Sequence, residues 1–405
     1  MEINGKELLD EIRASAASIS ERVRGYRRVL HRNPELSGGE QRTAALVAGV
    51  LSGLGIETRV NIGGHGVVGV LRGAGASGKR PTIALRADMD ALPLQEQSNA
   101  EYASCVPGVM HACGHDVHTA VLLGAAITLH SLKDRLKGNV KFIFQPCEEG
   151  DESGAGLMVA EGALADPAPD AIVALHCFPE MEAGTIGHRG GVMTASADIF
   201  TIAVKGKSGH GARPHQAVDA VLLSAMVVNS IHHIVSRRIN PLHRAVISIG
   251  EISGGTAPNI IADSVELKGT VRALDLGERK NILALIEDTV KGVTRAMGGD
   301  YEIEYGLSIP YVVNDRDIDG FVAAAAAELL GGGNVVEMAD PLLGAEDFAF
   351  FTELVPGTLF RLGTSNRDKG IVSHLHNPTF DIDEDAITTG TGLMSWIAAR
   401  FLNRL

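Results

Sequence analysis

Apolar residues at helical spacing (Leu8, Ile12, Ile19, Val23, Tyr26 and Leu30) predict one long helix over residues 6–32, stopped by Asn33-Pro34. A second helix is expected over 41–54, with Gly55 as its stop. Short apolar runs then predict strands at 57–62, 66–72 and 82–86, the last leading into Asp88-Met89-Asp90. A helix follows at 118–132. Runs 140–145 and 171–175 are almost wholly apolar, the pattern of strands buried on both faces. Glu148-Glu149 come just after the first run and His176 ends the second. Ligands of α/β sheets collect at the carboxyl ends of strands, where Asp88, Glu148, Glu149 and His176 are all expected.

Near residue 190 the pattern changes. A strand at 199–205, a helix at 217–235, strands at 245–252 and 265–272, a helix at 277–297 and a strand at 301–306 follow one another. That βαββαβ order is the split, ferredoxin-like arrangement. A helix at 319–330, a strand at 359–362 and a helix at 385–402 then return to the first pattern, with Gly331-Gly332-Gly333 as a helix stop. The expectation is an α/β protein with one domain from 1–190 and 310–405 and an inserted α+β domain at 191–309.

The chain has 405 residues, 45% hydrophobic and 21% charged, as globular proteins do. Aromatics are only 4% while glycine reaches 48 residues, so the core is expected to be aliphatic and the turns tight. A net charge of −13 argues against a nucleic-acid partner. Four scattered cysteines (Cys105, Cys113, Cys147, Cys177) fit reduced thiols in a cytoplasmic protein better than a disulfide scaffold. The N-terminal segment lacks the apolar core of a signal peptide, and no run of about 18 apolar residues predicts a membrane span.

The chemistry concentrates in His111-Ala112-Cys113-Gly114-His115-Asp116-Val117-His118. Thiolate and imidazole both suit zinc and similar divalent ions, and ligating imidazoles need a carboxylate or carbonyl to fix their tautomer. A Cys-x-His by itself also fits a buried thiol beside a hydrogen-bonded histidine. Glu148-Glu149 at a strand end can divide labour, one carboxylate binding an ion and the other taking a proton from water. On a surface loop the same pair is solvated and idle. His176 by itself fits a core histidine, and His376, before Asn377-Pro378, a turn.

Together these blocks resemble the amidohydrolase subgroup of the aminoacylase/carboxypeptidase family of co-catalytic metallopeptidases, which includes hippurate hydrolases, N-acyl-amino-acid deacylases and auxin-conjugate hydrolases. The likeness runs through His31–Ser37, Arg86–Pro93, His111–His118, Glu148–Gly150, Leu175-His176, Gly209-His210, Ala257–Asn259, Gly344–Phe348 and His374–Pro378. It implies a zinc-peptidase-like catalytic domain, a mixed sheet flanked by helices, with a lid that also serves dimerisation. It implies two divalent ions per subunit, manganese, zinc, nickel or cobalt, held by Cys113, His115, Glu149, His176 and His376. It implies Glu148 as general base, Asp90 as the carboxylate that orients a ligand or supports Glu148, and His210 as the oxyanion donor. Asn259 and Arg272 resemble substrate-binding residues of the lid, and Arg272 also fits an ordinary strand-end charge. Wider relatives carry His-x-Asp where this chain has Asp88-Met89-Asp90, which leaves open whether Asp88 binds metal. The implied reaction is hydrolysis of N-acyl-amino acids. Alternatives are a dipeptidase or carboxypeptidase and, from another class, a non-catalytic metal-binding scaffold.

Overall fold

The computed structural model describes residues 4–74 and 80–405. In chain order the helices and strands are α1 (Gly5–Ser18), α2 (Ser20–Arg32), α3 (Gln41–Gly53), β1 (Glu57–Ile62), β2 (Gly66–Arg72), β3 (Thr82–Asp88), α4 (His115–Ser131), β4 (Asn139–Gln145), α5 (Gly154–Ala160), β5 (Ala171–Glu182), β6 (Ile186–His188) and β7 (Gly191–Thr194). There follow β8 (Ser196–Lys205), β9 (Gly209–His210), α6 (Ala220–Arg237), β10 (Ala245–Gly254), β11 (Ile260–Ile261), β12 (Ser264–Ala273), α7 (Glu278–Ala296) and β13 (Asp300–Ile309). The chain closes with β14 (Val312–Asn314), α8 (Arg316–Leu330), β15 (Val335–Glu337), α9 (Ala349–Thr352), β16 (Gly357–Ser365) and α10 (Asp385–Asn403).

Two compact units emerge. The first comprises Met1–Met193, Val313–Asp340 and Asp347–Leu405; the second comprises Thr194–Val312 and Pro341–Glu346. The first is built on a mixed eight-stranded sheet in the order β1-β2-β4-β3-β5-β16-β6-β15, with β4, β3, β5 and β16 parallel neighbours. Ile83, Leu85, Val140, Phe142, Val173 and Phe360 point into one large core with α4 and α10. The alternating residues Ala84, Ile143 and Ile172 are buried too, so these strands are covered on both faces. Helix α4 is buried from His115 to Leu129, which is why it has no polar stripe. It packs closely on α10 through glycine: a Cβ on Gly124 would lie 2.6 Å from Thr391 Oγ1.

The second unit has a four-stranded antiparallel sheet, β10-β12-β8-β13, with α6 and α7 packed on it. Against the expectation of no membrane-span candidate, α6 is the one described helix long and apolar enough, by length and composition, to cross a membrane. Its buried Leu223, Val227, Ile231 and Ile234 recur at helical spacing, so one face of it packs into the sheet's own core.

Several expected boundaries move, among them those of β8, α6, β13, α8 and β16 by two or three residues, and three changes have a plain local cause. The helix over 6–32 breaks at Ile19, where the Ser18 hydroxyl takes the Ser15 carbonyl at 2.8 Å in competition with the helix. Helix α4 begins at His115, three residues earlier than expected, because Gly114 at φ +86° turns the chain into it. His176 lies within β5, since the parallel partner β16 extends the pairing beyond Leu175.

Candidate metal centre

The centre lies in the first unit, where the ends of β3 and β4, the start of α4, the middle of β5 and the loop before α10 meet. Cys113 Sγ is 3.5 Å from His176 Nε2 and 3.4 Å from His376 Nε2. His376 Nε2 is also 3.1 Å from Glu149 Oε1. Two sets of potential ligand atoms share the thiol: Cys113, His115 and His176, and Cys113, Glu149 and His376, each lying within 4.8 Å. Glu148 Oε2 stands 3.8 Å from His115 Nε2.

The outward-facing ring nitrogens are already engaged. His115 donates its Nδ1 hydrogen to Asp90 Oδ1 at 3.1 Å, and His176 donates its Nδ1 hydrogen to the Cys177 carbonyl at 2.9 Å. Each ring therefore presents Nε2, the tautomer that can ligate, to the shared space. His115 Nε2 is buried with no hydrogen-bond partner, a cost that a bound cation removes. Electrostatics agree. Burial, reinforced by Glu149, Glu148 and Asp88, pushes the Cys113 thiol well above its usual range. Burial works against charge on His115, yet Asp88 and Asp90 outweigh it and raise the imidazole to about 10. The pocket holds a surplus of negative charge that divalent ions neutralise, and its S, N and O donors suit zinc, manganese, cobalt or nickel. The donor set fits the implied metal.

Asp90 is buried and joins both halves of the centre. Besides the His115 ring, it accepts hydrogen bonds from the Glu149 backbone N–H at 2.9 Å and the Ser37 hydroxyl at 2.7 Å. Of the two roles expected for it, these contacts match ligand orientation. Asp88 is paired on both oxygens: Oδ1 accepts from His118 Nδ1 at 2.6 Å and Oδ2 from Arg86 Nη1 at 2.7 Å. His118 in turn accepts the Cys177 N–H on Nε2 at 2.8 Å. Both ring nitrogens of His118 are thus used, and the ring ties α4 to β5 beside His176. Asp88 thus supports His118 and Arg86, and with His115 and His118 it also forms a group whose ligand atoms all lie within 4.8 Å of one another. The guanidinium of Arg86 also reaches Gln145 at 2.8 Å and Asp347 at 3.1 Å, holding the ends of β3 and β4 in register.

The remaining expected residues lie in the second unit. His210, in β9, accepts the Ala212 N–H on Nδ1 at 3.0 Å, so Nε2 carries its proton. Asn259 is exposed, and its main-chain carbonyl accepts the Gly211 N–H at 2.9 Å. Arg272 is half-buried on β12, with burial lowering its pKa against the pull of Asp198. The pattern of the sequence missed Arg27, which lies buried against Asp116. A basic residue on the buried stripe with Val23 and Leu30 was the available signal.

The chain has relatives among known proteins. The model of peptidase family M20/M25/M40 matches residues 84–400. The chain is 38% identical over 401 residues to thermostable carboxypeptidase 2 of Saccharolobus solfataricus, covering 98% of this chain and 100% of the relative. It is 36% identical over 389 residues to the N-acetyl-L-cysteine deacetylase of Bacillus subtilis, covering 96% and 90%. Among solved structures it is similar to the Bacillus subtilis YXEP protein, described as a dinuclear metal binding peptidase from the M20 family, with a TM-score of 0.82, 33% identity and coverage of 96% and 100%. The chain therefore belongs to peptidase family M20/M25/M40 and is a metal-dependent hydrolase.

Proposed function

We propose that the chain hydrolyses the amide bond of N-acyl-amino acids, giving a carboxylate and a free amino acid, at a centre of two divalent ions. The observation that carries this reading is the convergence of Cys113, His115, His176, Glu149 and His376 beside a second carboxylate, Glu148. Cys113, His115 and His176 are assigned to one ion, and Cys113, Glu149 and His376 to the other. When bound, such a pair acidifies water and polarises the scissile carbonyl.

The rest is done by the chain. Glu148 accepts the proton of the attacking water and delivers it to the amide nitrogen as the C–N bond breaks. Asp90 keeps His115 in its ligating tautomer and fixes the backbone of Glu149. His210, with its proton on Nε2, is assigned as the donor to the carbonyl oxygen as charge develops, and Asn259 and Arg272 as the grip on the substrate. Arg suits a carboxylate because of its two-pronged geometry.

A second reading, cleavage of dipeptides or C-terminal residues, is supported by the relative named as a carboxypeptidase. A panel of N-acetyl, N-benzoyl and indole-acetyl amino acids beside plain dipeptides separates the two. We expect amino-acid release from the acylated substrates. Release from dipeptides alone would move the assignment to peptidase.

We also infer a homodimer made through the second unit. Strand β10 is an open sheet edge, and Val221, Leu222 and Met226 leave an apolar face of α6 exposed. Sedimentation of Leu222→Glu should show a shift toward monomer; a monomeric wild-type chain would contradict the inference. The four free cysteines support a reducing, cytoplasmic setting.

A further inference from the structure

We propose that Arg27 is a positioning residue for the metal centre: one buried guanidinium ties the segment carrying His376 to the segment carrying Cys113 and His115. This rests on the ligand assignment above.

Arg27 is wholly buried. Its Nε donates to Asp116 Oδ2 at 2.8 Å, and Asp116 directly follows His115 at the start of α4. Its Nη2 donates to Asp381 Oδ1 at 2.8 Å, on the segment that runs from His376 to α10. Its plane lies over the Tyr102 ring, 4.5 Å from the centroid, and the Tyr102 hydroxyl donates to Asp381 Oδ2 at 2.8 Å. The forked guanidinium reaches these two carboxylates at once, with Glu384 Oε1 farther off at 3.5 Å from Nη1, which an ammonium cannot reproduce.

The two segments need such a tie unequally. Cys113, His115 and His176 are buried and held by packing. The His376 side chain is 55% exposed, and its backbone sits in the left-handed region at φ +59°, a conformation that a non-glycine residue keeps only when its surroundings hold it. Its local fasteners are the His376 N–H to the Ala112 carbonyl and the Gln97 N–H to the Pro378 carbonyl, both 2.8 Å. Arg27 adds a wholly buried charge to this set, beside the exposed His374–Glu180 pair at 3.0 Å and the Arg28–Glu384 pair on the same segment. Releasing it frees His376 before it disturbs the buried ligands, so the ion assigned to Cys113, Glu149 and His376 weakens first.

The test is titration of the metal-stripped chain with Co(II), following the thiolate-to-cobalt absorption band and the stoichiometry, alongside a thermal melt. Wild type should bind two ions. In Arg27→Met the first should bind as in wild type and the second at least tenfold more weakly, with the fold retained. Arg27→Lys should restore binding only in part. Tyr102→Phe, which removes one hydrogen bond to Asp381, should weaken the same ion by a smaller factor. Wild-type affinity for both ions in a folded Arg27→Met, or equal weakening of both, would overturn the inference. Should Arg27→Met fail to fold, an unchanged second ion in Tyr102→Phe would overturn it. A wild-type chain with no thiolate band would remove the ligand assignment itself, and this inference with it.

Discussion

Asp90 is where the two halves of the centre meet, since it holds the His115 ring and the Glu149 amide at once. Replacing such an outer partner typically costs about 10–100-fold in metal affinity. Asp90→Asn should therefore bind metal more weakly by that order in a competition assay with a chromophoric chelator. Glu148 makes the opposite prediction. Glu148→Gln should lose turnover by at least about 10²-fold, the scale of a general base, while metal content stays that of wild type. Retained turnover would remove Glu148 from its role. His118 is a third case. His118→Phe strips a partner from Asp88 Oδ1 and from the Cys177 N–H, and a buried polar group left unsatisfied costs about 1–3 kcal/mol. Urea unfolding should show a loss of that order. At this scale the sequence was most legible where side-chain chemistry is dense, as in Cys113-Gly114-His115. It was silent where the answer depends on who else is bonded. Nothing in the spacing separates His115, with Nε2 unpartnered, from His118, with both nitrogens in use.

At the level of elements, the turn into α4 decides whether His115 faces the centre. Gly114 sits at φ +86°, and a Cβ there would lie 2.8 Å from Cys177 Sγ. Gly114→Ala meets a left-handed backbone penalty of about 1–2 kcal/mol and a clash within β5. It should lower the unfolding free energy by at least about 2 kcal/mol and reduce bound metal together, as read by calorimetry and elemental analysis. An unchanged melt would show that the turn is not constrained as described. Strand periodicity located β3 and β4 to within two residues, because apolar runs bounded by polar residues are local signals. It cut β5 short at Leu175, because extension to Glu182 depends on β16, nearly two hundred residues away in sequence. The break at Ile19 was equally illegible, since an apolar residue there fits one helix as well as two.

For the molecule as a whole, burial of charge around α2 sets how stability depends on pH. Glu96 resists burial through hydrogen bonds from His31, Ser98 and the Ser104 N–H, which hold its carboxyl down at about 2, against an ordinary value of 4.5. A depressed carboxylate contributes stability above its unfolded pKa and loses it as pH falls toward the folded one. The contribution of Glu96 is therefore present above 4.5 and fades below it. His31 behaves oppositely: burial and Arg27 lower its pKa, but Asp116 and Glu96 raise it overall, so its contribution is present below 6.5 and fades as pH rises through its folded value. The difference in melting temperature between wild type and Glu96→Gln should narrow as pH drops from about 5 to about 3. A constant difference would contradict the assignment. The division of the chain into an outer α/β pattern and a βαββαβ insertion was readable from periodicity. That Pro341–Glu346 cluster with the second unit was not, because that short stretch carries no periodicity of its own.

Metal-dependent amide hydrolysis is tested most directly by amino-acid release from an N-acetyl-amino acid before chelation, after chelation, and after restoring manganese, zinc, cobalt or nickel, with the fold followed by circular dichroism. A metal-dependent hydrolase should show turnover that chelation abolishes and at least one ion restores, with secondary structure largely kept throughout. Turnover that survives complete removal of metal would contradict it.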